Sequence, residues 1–161
     1  MDGNRGRDRR FPGTAVCGGE WASGYPARSR PLLTWDRSMT DAAARARARL
    51  RQELSGHPAG DRLVELVLIA AGELVANAHE HAPGPYQLRL TAGPVPRIEV
   101  LDRGSGLPPR AVARARTAQG LGLGVAGRGR GLIMVHRATG GAWGSRAVAG
   151  GHSVWAELGG R

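Results

Sequence analysis

Two polar side chains interrupt the most apolar stretch of this sequence. Glu73 and Asn77 stand four residues apart within residues 61–81, where Leu, Val, Ile and Ala dominate. In a helix, this spacing places both side chains on one face, about 5–6 Å apart at Cβ. Carboxylate and amide oxygens suit Mg²⁺ or its bound water, and a carboxylate can also act as a general base. The pair therefore predicts a magnesium site beside a base or, taken alone, an ordinary polar helix edge.

A second carboxylate ends an alternating segment and is followed by glycines. The residues up to Asp102 alternate between polar and apolar types, as in a strand, so Asp102 shares a face with Ile98 and Val100. A carboxylate on the core side of a strand needs donors, and the exocyclic amine of a purine is one such donor. Gly104 and Gly106 permit a tight turn and a close backbone approach to a ligand. The same residues also fit an ordinary turn that starts with Asp.

A third motif, Gly129-Arg130-Gly131, stands directly before a helical pattern. Glycines let backbone N–H groups converge on phosphate oxygens, and a helix N-terminus adds its dipole. No Gly-Lys-Ser/Thr follows, so the motif is not a P-loop. A flexible, solvated loop is the alternative interpretation.

The hydrophobic periodicity predicts how these motifs are held. We expect one α+β domain over residues 31–161, an α/β sandwich with helices packed on one face of a mixed or antiparallel sheet. Residues 1–30 are rich in Gly, Arg, Pro and Ser and are expected to form a disordered tail. Thr40 is the expected N-cap of the first helix. The predicted helices cover residues 41–54, 61–81, 108–116 and 132–138, and the predicted strands cover residues 32–35, 86–90, 97–102, 142–145 and 153–158.

The chain is strongly basic, but its aromatic residues do not alternate with its basic residues. Twenty-three basic and 13 acidic residues give a net charge of +10, and all of the basic residues are Arg. A GC-rich coding bias explains this better than a nucleic-acid surface, because aromatic residues do not alternate with the arginines. The single cysteine, Cys17, excludes an intramolecular disulfide. No signal peptide and no membrane-spanning run is evident, so we expect a cytoplasmic protein.

The three motifs together resemble those of a known superfamily. Residues 73–82, ELVANAHEHA, resemble the N box of GHKL ATPases in the form typical of bacterial anti-sigma-factor serine kinases. Residues 102–106 resemble the first glycine box, and residues 129–132 resemble the second. Residues 151–158 are similar to the last strand of the family. The resemblance covers residues 32–158, with the boxes in the family's order.

The resemblance implies ATP and Mg²⁺ as cofactors and a role for each residue at the phosphate end. Asn77 would bind the Mg²⁺ that bridges the phosphates. Glu73 would be the catalytic base or would position water. Gly129, Arg130 and Gly131 would hold the phosphates.

The resemblance also implies an adenine end. Asp102 would accept from the adenine amine, and Gly104 and Gly106 would shape that wall. Ser153 would lie near the adenine, where the family often has Thr or Ser. Residues 107–126 would form a lid over the nucleotide.

The function implied is that of an ATP-dependent protein serine/threonine kinase that phosphorylates an antagonist protein and controls a partner such as a sigma factor. Dimerisation is a further property of the family. A non-catalytic nucleotide-dependent binding module is the main alternative. A histidine-kinase catalytic fragment fits less well, because no long helical hairpin with a phosphoacceptor His precedes the pocket. A nucleic-acid binder driven by basic charge would show a steep salt dependence of affinity.

Overall fold

The computed structural model describes residues 25, 27–117 and 130–159 of the 161-residue chain. Within these residues the chain forms five strands and four helices. In chain order they are β1 (Ser29–Trp35), α1 (Ala42–Glu53), α2 (Asp61–His81), β2 (Tyr86–Thr91), β3 (Arg97–Asp102), α3 (Pro109–Thr117), α4 (Gly131–Thr139), β4 (Trp143–Val148) and β5 (Gly151–Glu157).

The strands form one sheet in the order β1-β2-β3-β5-β4. Every neighbouring pair in this sheet is antiparallel. The predicted α+β class is therefore confirmed, and the sheet is antiparallel rather than mixed. Strands β3 and β5 are the central pair for the site, because their register sets Asp102 opposite His152 and Val100 opposite Val154.

One hydrophobic core joins the helices to a single face of the sheet, which we call the inner face. Alternate residues of each strand belong to it, such as Leu88, Ile98, Val100 and Ala156, and the residues between them point to the other, outer face. The helices lie over the inner face, and α2 packs against both α1 and α4. Because α2 is covered on several sides, its apolar residues extend nearly all round it, as expected for a buried helix.

Helix α2 and strand β3 have the predicted bounds, whereas the other elements differ from the prediction at one or both ends, for example α1 and β1. The N-cap of α1 is Asp41 rather than Thr40, and Asp41 makes no side-chain capping bond. Its carboxylate instead accepts from Arg45 Nε at 2.9 Å, one turn along the helix. Strand β1 begins at Ser29, inside the segment predicted as a tail. None of the helices that the structure describes is long and apolar enough to cross a membrane.

Candidate functional site

A cavity of about 690 Å³ opens where α2, α3 and α4 meet the ends of β3 and β5. This volume lies within the range of small-molecule sites, about 300–1,000 Å³. Its apolar walls come from the helices and from the inner face of the sheet, including Leu74, Val100, Leu132 and Val154. Polar groups converge on it from α2 and from the loop after β3. The cavity therefore has the size and the mixed apolar and polar lining of a small-molecule site.

Helix α2 brings Glu73 and Asn77 to the first residue of α4. A Cβ added at Gly131 would lie 2.9 Å from Glu73 Oε2 and 3.3 Å from Asn77 Oδ1. Two of the three predicted motifs therefore meet, and a side chain at position 131 would collide with their oxygens. Asn77 lines the cavity. The N-terminus of α4, with its unpaired N–H groups and positive dipole end, lies at the same place.

Asp102 lies at the other part of the cavity, where β3 ends. Its side chain is buried on the inner face with Ile98 and Val100, as predicted. Oδ1 accepts from the Gly104 N–H at 2.7 Å, and Oδ2 is 3.9 Å from His152 Nδ1. Burial raises the pKa of Asp102, against the opposing effects of the Gly104 hydrogen bond and of His152. Oδ2 has no donor within hydrogen-bond distance among the residues that the structure describes, so it is available to a ligand donor.

The two glycines after Asp102 are packed closely, but for different reasons. A Cβ at Gly104 would lie 3.0 Å from Asp102 Oδ1 and 3.2 Å from the Ala82 Cβ, so the turn closes against the end of α2. Gly106 has φ +124°, a conformation that side-chain-bearing residues rarely adopt. It also lies against the His152 ring. Both glycines line the cavity, as predicted.

Ser153 is not brought to the cavity. It pairs with Leu101, between the inner-face pairs of Val100 and Asp102, so it points to the outer face. There it is fully buried, and its hydroxyl donates to Glu99. The β5 residues that do line the cavity are Val154 and His152, and sequence reasoning missed His152.

Basic side chains form part of the cavity wall. Arg110 and Arg114 stand one turn apart on α3, and both line the cavity together with His81 and His152. Asp102 is the one acidic residue among the lining residues that belong to the described part of the chain. The basic residues favour an anionic ligand, and Asp102 can accept a hydrogen bond from a donor group of that ligand. Arg110 and Arg114 belong to the predicted lid, residues 107–126, but the sequence predicts a role for neither of them.

The remaining predicted phosphate residues are placed only in part. Arg130 is exposed and is the N-cap of α4, where its carbonyl accepts from the Met134 N–H at 2.9 Å. Gly129 lies outside the described residues, as do residues 118–126 of the segment predicted to be a lid, whereas residues 109–117 of that segment form α3. The structure thus joins Glu73, Asn77 and Gly131 at one place and Asp102, Gly104 and Gly106 at another.

A metal at this site would need ligands from outside the protein. Among the described residues, no three His, Cys, Asp or Glu side chains cluster as a metal site. The oxygens of Glu73 and Asn77 beside Gly131 fit Mg²⁺, which commonly takes one or two protein oxygens and completes its shell with water and phosphate. No protein-family model and no curated protein matches this chain.

Proposed function

We propose that the chain binds Mg²⁺-ATP in this cavity and acts as a protein serine/threonine kinase of the anti-sigma-factor type, with a GHKL fold. The observation that carries the proposal is that Glu73, Asn77 and Gly131 meet beside a cavity that Asn77 lines and whose other part holds Asp102. These are the positions at which the sequence resembles the superfamily. They come from distant parts of the chain, so their meeting is independent support.

The base would lie at the Asp102 end. A flat ring fits between the apolar side chains of Leu74, Leu132 and Val154, and its amine can donate to Asp102 Oδ2. Guanine presents a carbonyl in place of that amine, and two acceptors would then face each other. A site built around a buried acceptor discriminates strongly against a ligand that leaves it unpaired. Adenine is therefore the base that this end of the cavity favours.

The phosphates would lie toward the N-terminus of α4. Its free N–H groups and dipole attract anions, and Arg110 and Arg114 add positive charge along the wall. The side-chain oxygen of Asn77 would hold Mg²⁺, which neutralises phosphate charge when bound. Glu73 would accept the proton from the serine hydroxyl of a protein substrate as the phosphoryl group passes to that oxygen and ADP leaves.

By the same resemblance, the protein substrate would be an anti-sigma antagonist and the controlled partner a sigma factor, with a second copy of the chain as a further partner. A non-catalytic nucleotide-dependent module remains the second candidate. It is favoured by the position of Glu73, whose carboxylate packs against Gly131 and which is not among the residues that line the cavity.

The test of binding is calorimetry of ATP with and without Mg²⁺ on the wild type and Asn77→Ala. We expect the wild type to bind Mg²⁺-ATP, and the variant to lose the Mg²⁺-dependent part of the affinity. Removing a contact to a charged group costs about 1.5–3 kcal/mol. Absence of ATP binding by the wild type would refute the proposed function.

The test of catalysis is Glu73→Gln, with Glu65→Gln as a control on an exposed position of the same helix. If the chain is a kinase, Glu73→Gln should bind Mg²⁺-ATP nearly as well but transfer phosphate at least about 100-fold more slowly to a serine-bearing partner. Glu65→Gln should change neither quantity. Equal transfer rates in Glu73→Gln and the wild type would remove Glu73 from the chemistry, and ATP binding without any transfer would favour the module.

A further inference from the structure

The outer face of the sheet is buried although the helices described here lie on the inner face. Arg89, Glu99, Leu101 and Ser153 alternate with the inner-face residues, yet they are only 7%, 4%, 0% and 0% exposed. A sheet face open to water would leave such residues accessible. Charged groups are rarely this buried unless they are paired. Another part of the molecule must therefore lie over the middle of this face.

The buried acid on this face is paired. Glu99 Oε1 accepts from Arg146 Nη2 at 2.9 Å and from the Ser153 hydroxyl. Hydrogen bonding to Glu99 raises the pKa of Arg146, so Arg146 stays protonated. The three side chains come from β3, β4 and β5 and form a polar layer across the sheet.

Tyr25 lies on this layer. The Arg89 guanidinium carbon is 4.2 Å from the centroid of the Tyr25 ring, and the corresponding carbon of Arg146 is 5.5 Å from it. Both distances are within the range of a cation–π interaction. Burial and then the Glu99 carboxylate raise the pKa of the Tyr25 phenol. The charges of Arg146 and Arg89 oppose this rise, and the buried phenol oxygen makes no hydrogen bond of normal geometry in the described part of the chain.

The path of the chain explains how Tyr25 reaches this face. Residues 27–28 form a turn directly before β1, which is an edge strand. Arg89 Nη2 donates to the Ser29 carbonyl at 3.0 Å, and Arg89 Nε donates to the Ser29 hydroxyl at 3.1 Å. Arg89 therefore binds the first residue of β1 and the Tyr25 ring together. The chain turns back from the sheet edge across the outer face, and 24 further residues precede Tyr25.

We propose that the outer face of the sheet is a docking surface for the chain's own N-terminal segment, residues 1–25, and that Tyr25 holds this segment in place. The occupant is intramolecular, because Tyr25 is only four residues from β1 and is already seated between Arg89 and Arg146. If so, residues 1–25, which the composition predicts to be a disordered tail, belong to the fold. The inference does not depend on ATP binding.

The experiment is limited trypsin digestion of full-length chains, followed by mass spectrometry of the fragment that begins at Ser29. Tyr25→Ala removes the ring, and Tyr25→Phe is the matched control, since it removes only the hydroxyl and keeps the ring that lies under Arg89. We expect cleavage after Arg28 to be at least about 10-fold faster in Tyr25→Ala than in the wild type and Tyr25→Phe, on the basis of a lost buried aromatic contact. Equal rates in all three chains would overturn the proposal.

Two further measurements keep the proposal open to refutation if Tyr25→Ala folds poorly. The absorbance titration of the wild type minus that of Tyr25→Phe isolates the Tyr25 phenol, which should ionise above the ordinary tyrosine range of about pH 10. Ionisation in the ordinary range would refute the docking. Protection of the Arg28 bond should also be independent of protein concentration, whereas protection that grows with concentration would mean that a second copy covers the face.

Discussion

The contact between Gly131 and the Glu73–Asn77 pair allows a prediction in which stability and binding separate. Gly131→Ala would place a Cβ 2.9 Å from Glu73 Oε2, closer than packed atoms tolerate, so the carboxylate must move. Glu73 Oε2 is the end of a flexible side chain, and this movement costs little in the folded protein. Ala also favours the helix over Gly by about 0.4–1 kcal/mol. We expect the unfolding midpoint of Gly131→Ala to lie within about 4 °C of the wild type.

Binding should respond much more strongly than stability. The added Cβ would also lie 3.3 Å from Asn77 Oδ1, and Mg²⁺ requires near-ideal octahedral geometry, so a displaced Asn77 oxygen cannot coordinate it well. Loss of one contact to a charged group, about 1.5–3 kcal/mol, corresponds to a fall in Mg²⁺-ATP affinity of about 10-fold or more. Calorimetry and thermal unfolding on the same samples test this, with Met134→Ala, at an exposed position of α4, as the control. Unchanged Mg²⁺-ATP affinity in Gly131→Ala would refute the assignment of phosphates and metal to this place.

Three further predictions concern β3 and β5. Asp102→Asn should weaken ATP binding and remove the preference for ATP over GTP in a competition assay, because the new amide can donate to the guanine carbonyl. Persistent discrimination between the two nucleotides would place the base elsewhere. Burial raises the pKa of Asp102, so folding favours its protonated form and the stability it contributes is lost as pH rises through the raised value. In thermal unfolding, Asp102→Asn should therefore gain stability relative to the wild type between about pH 3 and about pH 7, and a constant difference would contradict this. Ser153→Ala should leave ATP affinity within about twofold but lower the unfolding midpoint by about 2–4 °C, since Glu99 loses a donor; a tenfold loss of affinity would return Ser153 to the site.

The elements that the sequence predicts well are those in which local signals agree. Helix α2 is a long apolar run that follows Gly60 and ends before Pro83, and its bounds match the prediction. The order of the strands has no such local signal, because β3 pairs with β5 although α3 and α4 lie between them in the chain. Such a pairing depends on tertiary packing, and periodicity carries no information about it. The class of the fold is accordingly predictable, whereas the sheet order and its purely antiparallel pairing are not.

The same distinction explains why Ser153 does not lie at the cavity. Alternation along β3 correctly places Asp102 on the face of Ile98 and Val100. Applied to β5, where Val154 and Ala156 are the core residues, the same alternation puts His152 inside and Ser153 outside. The assignment of Ser153 followed the resemblance instead. The transfer of a role from a family to a single residue is thus only as reliable as the register in which the two strands are matched. A shift of one residue along a strand moves the side chain to the opposite face of the sheet.

Asp102 is the residue at which the requirements of folding and of the proposed function conflict. A buried carboxylate with one backbone donor and a histidine 3.9 Å away is less stable charged than it would be in water. A neutral or apolar residue there would relieve that cost, and Val100, two residues earlier, shows that apolar side chains are accommodated on this face. A ligand amine that donates to Oδ2 offsets the cost only in the complex. If the proposed function is right, the cost of the unpaired carboxylate in the empty site contributes to the selectivity of the site for adenine. We therefore expect ATP to stabilise the wild type more than it stabilises Asp102→Asn.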